Sequence, residues 1–287
     1  MVVLSLILAH LIADFWLQTD LMVKDKLKNL TKHSFHHLLT TAIALAFIWV
    51  GGFESHIPID HFILPLSIIV ISHIFIDILK IKLIDSMKAT KTNHLRTLGY
   101  FLLDQLLHII IILITCTICF GIDTYDMTTI FIETKNFSPL YVFLFLMIIF
   151  ILATSVSGHI VKHIVGSLPS ELANYEGELI LRSEMVGVKE RVQPTFENKF
   201  SEEYRYFTYS SPPRSRGKLI GYIERLLVII LTVIGAYPSI AFIIAAKSIA
   251  RFKQLDDRNW AEYFLLGTLS SIFLGLVLGL IVQWMLM

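Results

Sequence analysis

Three apolar segments, each long enough to cross a bilayer, carry a histidine and an aspartate four residues apart: His10 with Asp14, His73 with Asp77, and Asp104 with His108. Four residues are about one helical turn, so each pair shares one helix face. An ionised group at the bilayer centre costs about 2.5–3.5 kcal/mol on insertion scales, and three aspartates facing lipid alone would cost roughly 8–10 kcal/mol. Interhelical hydrogen bonds offset little of this, averaging about 0.6 kcal/mol each in a membrane. A shared centre that neutralises the carboxylates is cheaper, and a divalent metal is the natural neutraliser. His10, Asp14, His73, Asp77, Asp104 and His108 are therefore the expected ligand set. Imidazole mixed with carboxylate suits zinc, manganese or iron better than magnesium or calcium. Six residues exceed what one tetrahedral zinc needs, which leaves material for a second metal, outer carboxylates or a general base. Asp104 and His37 are the candidate bases. Lys80, three residues beyond Asp77, is either a catalytic cation or a snorkelling side chain. His33, His36, His159 and His163 read as interfacial histidines.

The elements that position these residues are membrane spans. Hydrophobic residues make up 55% of the 287 and charged residues 16%, where a soluble domain usually carries about 25%. The mean hydropathy is +0.70, and the formal net charge of +1 offers no signature of nucleic-acid binding. Residues 2–22 lack the basic flank and cleavage pattern of a secretory signal and read as a retained helix. Further spans are expected at about 36–50, 62–81, 98–120 and 139–165. Lysine and arginine follow the first, third and fifth spans and recur through 166–218, which predicts an outside N-terminus and a cytoplasmic insert in a cell's inner or plasma membrane. Gly235 and Pro238 break the apolar run 219–250, so two short helices are expected as a hairpin with both ends cytoplasmic, before a last span at about 263–285. The insert begins with a loosely alternating stretch at 177–189 that suits a small β-hairpin, and residues 210–217 form a turn-rich tether. Cys116 and Cys119 sit in an apolar run and read as small core residues.

The expected architecture is all-α: a polytopic transmembrane bundle of about six to eight membrane segments, one of them a re-entrant hairpin, with a small cytoplasmic insert. Its parts are a His/Asp-bearing core at 1–120, an outer loop and fifth span at 121–165, the insert at 166–218, and a C-terminal hairpin with the last span at 219–287. Direction along the helices matters. The first and third spans run inward and spell histidine then aspartate, while the fourth runs outward and spells the reverse. Antiparallel packing then places a histidine layer above an aspartate layer. A second polar cluster, Glu224, Arg225, Lys247 and Arg251 with Glu262 nearby, is expected at the cytoplasmic interface, either as an ion-pair clasp or as a pocket for a phosphate headgroup.

The segments Ala-His-Leu-Ile-Ala-Asp-Phe-Trp-Leu-Gln-Thr-Asp, Ser-His-Ile-Phe-Ile-Asp-Ile-Leu-Lys and Leu-Asp-Gln-Leu-Leu-His resemble a bacterial multi-pass membrane family catalogued as domain of unknown function 3307. Gly-Tyr-Ile-Glu-Arg, Ala-Ala-Lys-Ser-Ile-Ala-Arg-Phe and Glu-Tyr-Phe-Leu-Leu-Gly-Thr-Leu look like that family's carboxy-terminal half, so the resemblance extends over most of the chain except the insert. A weaker similarity, through Lys32-His33-Ser34 and the His73–Asp77 pair, is to membrane-bound metal-dependent hydrolases, although those carry a threonine where this chain has Lys32. The leading expectation is an integral membrane protein with an intramembrane metal site that hydrolyses a lipid-like or phosphoester substrate. The alternatives are a transporter or channel for metal ions or protons, and a membrane-anchored protein whose insert docks a soluble partner.

Overall fold

A computed structural model describes residues 1–19, 22–23, 25–51, 60–87, 94–122, 137–166, 175–188, 195–208, 216–252 and 258–286. The loop lysines Lys24, Lys88, Lys91 and Lys253, the acidic stretch 123–135 and tether residues 210–215 lie outside the described residues. Among the described residues eight helices follow in chain order: α1 (Val2–Phe15), α2 (Lys26–Val50), α3 (Asp60–Met87), α4 (His94–Phe120), α5 (Pro139–Val165), α6 (Arg216–Val233), α7 (Tyr237–Ala250) and α8 (Arg258–Leu286). Five of them contain stretches long and apolar enough to cross a membrane: Leu27–Val50, Phe62–Leu83, His94–Phe120, Pro139–Val165 and Trp260–Leu286. Their outward faces present large apolar side chains such as Phe75, Ile118 and Phe273, which water does not tolerate over so wide an area. The chain is a multi-pass membrane protein.

Two helices depart most from the expected bounds. The first ends at Phe15 instead of running to residue 22, its last turn closed by the Leu17 N–H on the Ile12 carbonyl at 3.0 Å. At about 1.5 Å per residue it reaches only about 21 Å, short of a full span. The second begins at Lys26, ten residues before His36, because its amino-terminal half carries the buried His33 and His37, which lower the local hydropathy without breaking the helix.

The first four helices divide lengthwise. On one side of the histidines lies an apolar plug: Val2, Leu6 and Ala9 of α1, Ala44, Leu45 and Ile48 of α2, Ile69 of α3, and Ile112 and Cys116 of α4. Cys116 and Cys119 are buried free thiols, filling core as expected. On the other side, Asp14, His33, Asp77 and Asp104 line a cavity of about 580 Å³. The antiparallel order of the helices produces this division, since the polar residue lies after the histidine on α1 and α3 but before it on α2 and α4.

The C-terminal helices pack differently. Helix α5 contains one π-helical turn, Leu152–Val156, and the wider turn frees carbonyls for an outside donor. Arg225 of α6 fills that role: its Nε bonds the Ala153 carbonyl and its Nη2 the Thr154 carbonyl at 3.2 Å, while Nη1 reaches Ser271 Oγ at 3.0 Å. Helices α6 and α7 form the expected hairpin. Gly235 turns the chain at φ 72°, and Lys247 Nζ returns to Glu224 Oε2 at 2.7 Å. Gly275 and Gly279 of α8 let it approach α6 closely, Val228 and Thr232 being the neighbours.

Residues 167–216 form a separate compact unit. Within it β1 (Tyr175–Val188) and β2 (Thr195–Thr208) pair antiparallel, in register from Tyr175 opposite Thr208 to Val188 opposite Thr195. Residues 177–188 of the alternating stretch thus lie in the first strand of a hairpin, which begins two residues earlier, at Tyr175.

Candidate metal centre

Four helices each point a polar face inward and the faces converge. His10 and Asp14 come from α1, His33 and His37 from α2, His73 and Asp77 from α3, and Asp104 with His108 from α4. All except Asp14 are buried, and the Asp14 side chain is only 11% exposed. The histidine layer is dense. Ring centroids lie 5.7 Å apart for His10 and His73, 5.0 Å for His10 and His108, and 4.2 Å for His73 and His108. His37 stacks on His73 at 3.5 Å.

Two sets of ligand atoms gather within 4.8 Å of one another: His10, Asp14, His37 and His73, and His33, His73 and Asp77. Around the second set the separations are 3.1 Å for His33 Nε2 to His73 Nε2, 3.4 Å for His33 Nε2 to Asp77 Oδ2, and 3.5 Å for His73 Nε2 to Asp77 Oδ2. Asp14 Oδ1 adds edges of 3.3 Å to His33 and 3.8 Å to His73. Ligands bound at about 2.0–2.1 Å to one tetrahedral ion stand about 3.3–3.4 Å apart, close to most of these separations. Asp14 also holds His37 Nε2 at 2.8 Å and accepts from Gln105 Nε2 at 2.9 Å.

Charge points the same way. Lys80 Nζ pairs with Asp104, while Asp14 and Asp77 both stand against the His33 imidazole. The Nε2 atoms of His10 and His108 are buried with no hydrogen-bond partner, a deficit of about 1–3 kcal/mol each that a bound group can relieve. The Nδ1 atoms of His33, His37 and His73 are also unpartnered, unlike most ligating histidines, whose second nitrogen donates to a carboxylate or carbonyl.

The sequence-predicted residues thus divide. His10, Asp14, His73 and Asp77 fall in the ligand sets. Asp104 and His108 do not: Lys80 and Gln105 occupy Asp104 Oδ2, and His108 Nδ1 bonds the Asp104 carbonyl at 2.7 Å. His37, expected as a base or ligand, stands in the first set. His33, read as interfacial, is buried at the hub of the second, which the four-residue spacing of His33 and His37 on one helix face would have signalled. Lys80 does not extend to a membrane surface; it turns inward to Asp104. In the C-terminal half Arg225 is 2% exposed and bonded to backbone, not interfacial, while Glu224 and Lys247 make the expected ion pair.

Residues 2–138 match the sequence profile of a family described as a protein of unknown function, DUF3307. The carboxy-terminal motifs quoted above lie beyond that match. No curated protein and no solved structure matches the chain, and the similarity to membrane-bound hydrolases finds no support in these comparisons. The four helices that assemble the histidine–aspartate centre all lie within the stretch that is similar to this family.

Proposed function

We propose that this protein is a metal-dependent membrane hydrolase acting on an amphiphilic ester or phosphoester. The observation that carries the reading is the set of edges from 3.1 to 3.8 Å among His33, His73, Asp77 and Asp14. Zinc, manganese or iron held there supplies Lewis-acid chemistry for hydrolysis. The protein's own residues supply the rest. His37, fixed by Asp14, is the nearest imidazole outside the His33–His73–Asp77 set and the candidate base. Lys80, held by Asp104, places a cation on the cavity wall, where Lys28 adds another. The apolar plug favours an enzyme over a conduit, because the polar cavity ends at the histidines and continues into packed side chains. The lysines at the open end put that end on the cytoplasmic side by the positive-inside rule, so substrate headgroups enter from that leaflet.

The test combines elemental analysis with turnover. Protein purified without added metal should carry tightly held transition metal and hydrolyse members of a phospholipid and isoprenoid-phosphate panel. Asp77→Asn should lose both properties. A stable, active protein free of metal would sink the proposal. Flux of metal or protons across liposomes without hydrolysis would replace it with a transporter.

A further inference from the structure

The C-terminal half holds a second cavity, of about 720 Å³, enclosed by α5, α6, α7 and α8. Its wall carries Lys162, Lys218, Arg225, Lys247 and Arg251 against one carboxylate, Glu224, among the described residues. Glu224 is already matched by Lys247 at 2.7 Å. The Arg225 guanidinium rests on neutral acceptors only, two carbonyls and the Ser271 hydroxyl. Leaving Arg251 aside, Lys162, Lys218 and Arg225 still give the wall a surplus of positive charge beside a low-dielectric helix core, an arrangement that favours an anion.

Two further features belong to a built site. Thr268 also lines the cavity, is 3% exposed, and its Oγ1 is buried without a hydrogen-bond partner. A buried hydroxyl left unpaired costs about 1–3 kcal/mol and is seldom retained without use. Gly221 shapes the rest: a Cβ there would come within 3.3 Å of Arg225 Nη1, so a larger residue would push the guanidinium by a few tenths of an ångström. Ammonium, guanidinium and hydroxyl donors together exceed what the two oxygens of a carboxylate can accept. A phosphate monoester, with three acceptor oxygens and a charge near −2, uses them.

We infer that this cavity is a binding site for a phosphate group, separate from the histidine–aspartate centre. Trp260 and Tyr263 on its rim are the residue types that settle at headgroup level, and basic pockets between membrane helices bind anionic headgroups. His159 lines both cavities, so a phosphate bound here sits beside the entrance to the metal centre. The site stands on its own charges and hydroxyl, whether or not the metal centre hydrolyses anything.

The experiment uses the full chain in a neutral detergent. It is titrated with dioctanoyl phosphatidic acid, with dioctanoyl phosphatidylcholine as the zwitterionic control, and with inorganic pyrophosphate. Binding is followed by tryptophan fluorescence and by the shift in melting temperature. Saturable binding of phosphatidic acid but not phosphatidylcholine is expected, weakened about tenfold by Lys218→Gln or Arg251→Gln, the loss typical of one hydrogen bond to a charged group. Thr268→Val should weaken it less, and Asp77→Asn should leave it unchanged. Binding of phosphatidic acid alone marks a lipid headgroup as the ligand, and binding of pyrophosphate as well marks a soluble phosphate. The inference is overturned if no anion binds, if phosphatidylcholine binds equally, if Lys218→Gln and Arg251→Gln are both without effect, or if Asp77→Asn weakens binding as much as they do.

Discussion

His73 is the residue on which the centre turns. It belongs to both ligand sets, its ring stacks on His37, and it is 2% exposed. His73→Ala should therefore lower metal content and thermal stability together, while Lys32→Gln on the exposed side of the same bundle should change neither. Bound ligand at a hundred times its dissociation constant stabilises by about 2.7 kcal/mol, which sets the size of the melting shift to look for in scanning calorimetry. Lys80 makes a different forecast. Lys80→Met leaves Asp104 buried and unpaired, which costs about 3–5 kcal/mol, whereas Lys80→Met with Asp104→Leu should recover most of the loss. Denaturation of the single and double variants separates an ion pair that holds structure from a lysine that serves turnover only.

Helix α8 seats on α6 because it has no side chain at the point of closest approach. A Cβ at Gly279 would fall 2.7 Å from Thr232 Cβ, and small residues at such contacts are what membrane helices use to approach without a hydrophobic drive. Gly279→Ala should destabilise by about 1–3 kcal/mol through overpacking, and Thr232→Gly in the same chain should restore the melting temperature in detergent. The π-turn of α5 and Arg225 are matched in the same way. The widened turn presents the Ala153 and Thr154 carbonyls, and the guanidinium occupies them. Neither partner signals its role alone, since a π-turn has no sequence pattern of its own and an arginine near a helix end usually reaches for water.

At the scale of the whole molecule the open question is orientation. The α6–α7 hairpin brings Lys247 back beside Glu224, so both ends of the pair lie on one side of whatever membrane surrounds it. With basic residues inside, Ala236→Cys at the turn should react with an impermeant thiol reagent from outside or not at all, and Arg258→Cys only from the cytoplasm. The native Cys116 and Cys119 are buried and supply no background. Labelling of position 258 from outside would reverse the positive-inside assignment and with it the side from which the metal cavity opens.

Local chemistry made much of this legible in the sequence. Apolar runs and the helical period placed the spans, and the four-residue spacing put each histidine beside its aspartate whatever the helix packed against. Gly235 and Pro238 marked a break because no helix continues comfortably through them. The bounds of α1 and α2 were not legible, because hydropathy counts a buried histidine as it counts an exposed one. Helix packing alone decided which polar groups meet. Asp14, Asp77 and Asp104 look equivalent along the chain, yet α2 delivers His33 and His37 to the first two while Lys80 claims the third. Arg225 reads as an interfacial cation until α5 widens and takes it into the core. A side chain's face follows from its own helix, but its partner depends on contacts between residues tens of positions apart, and no periodicity records those.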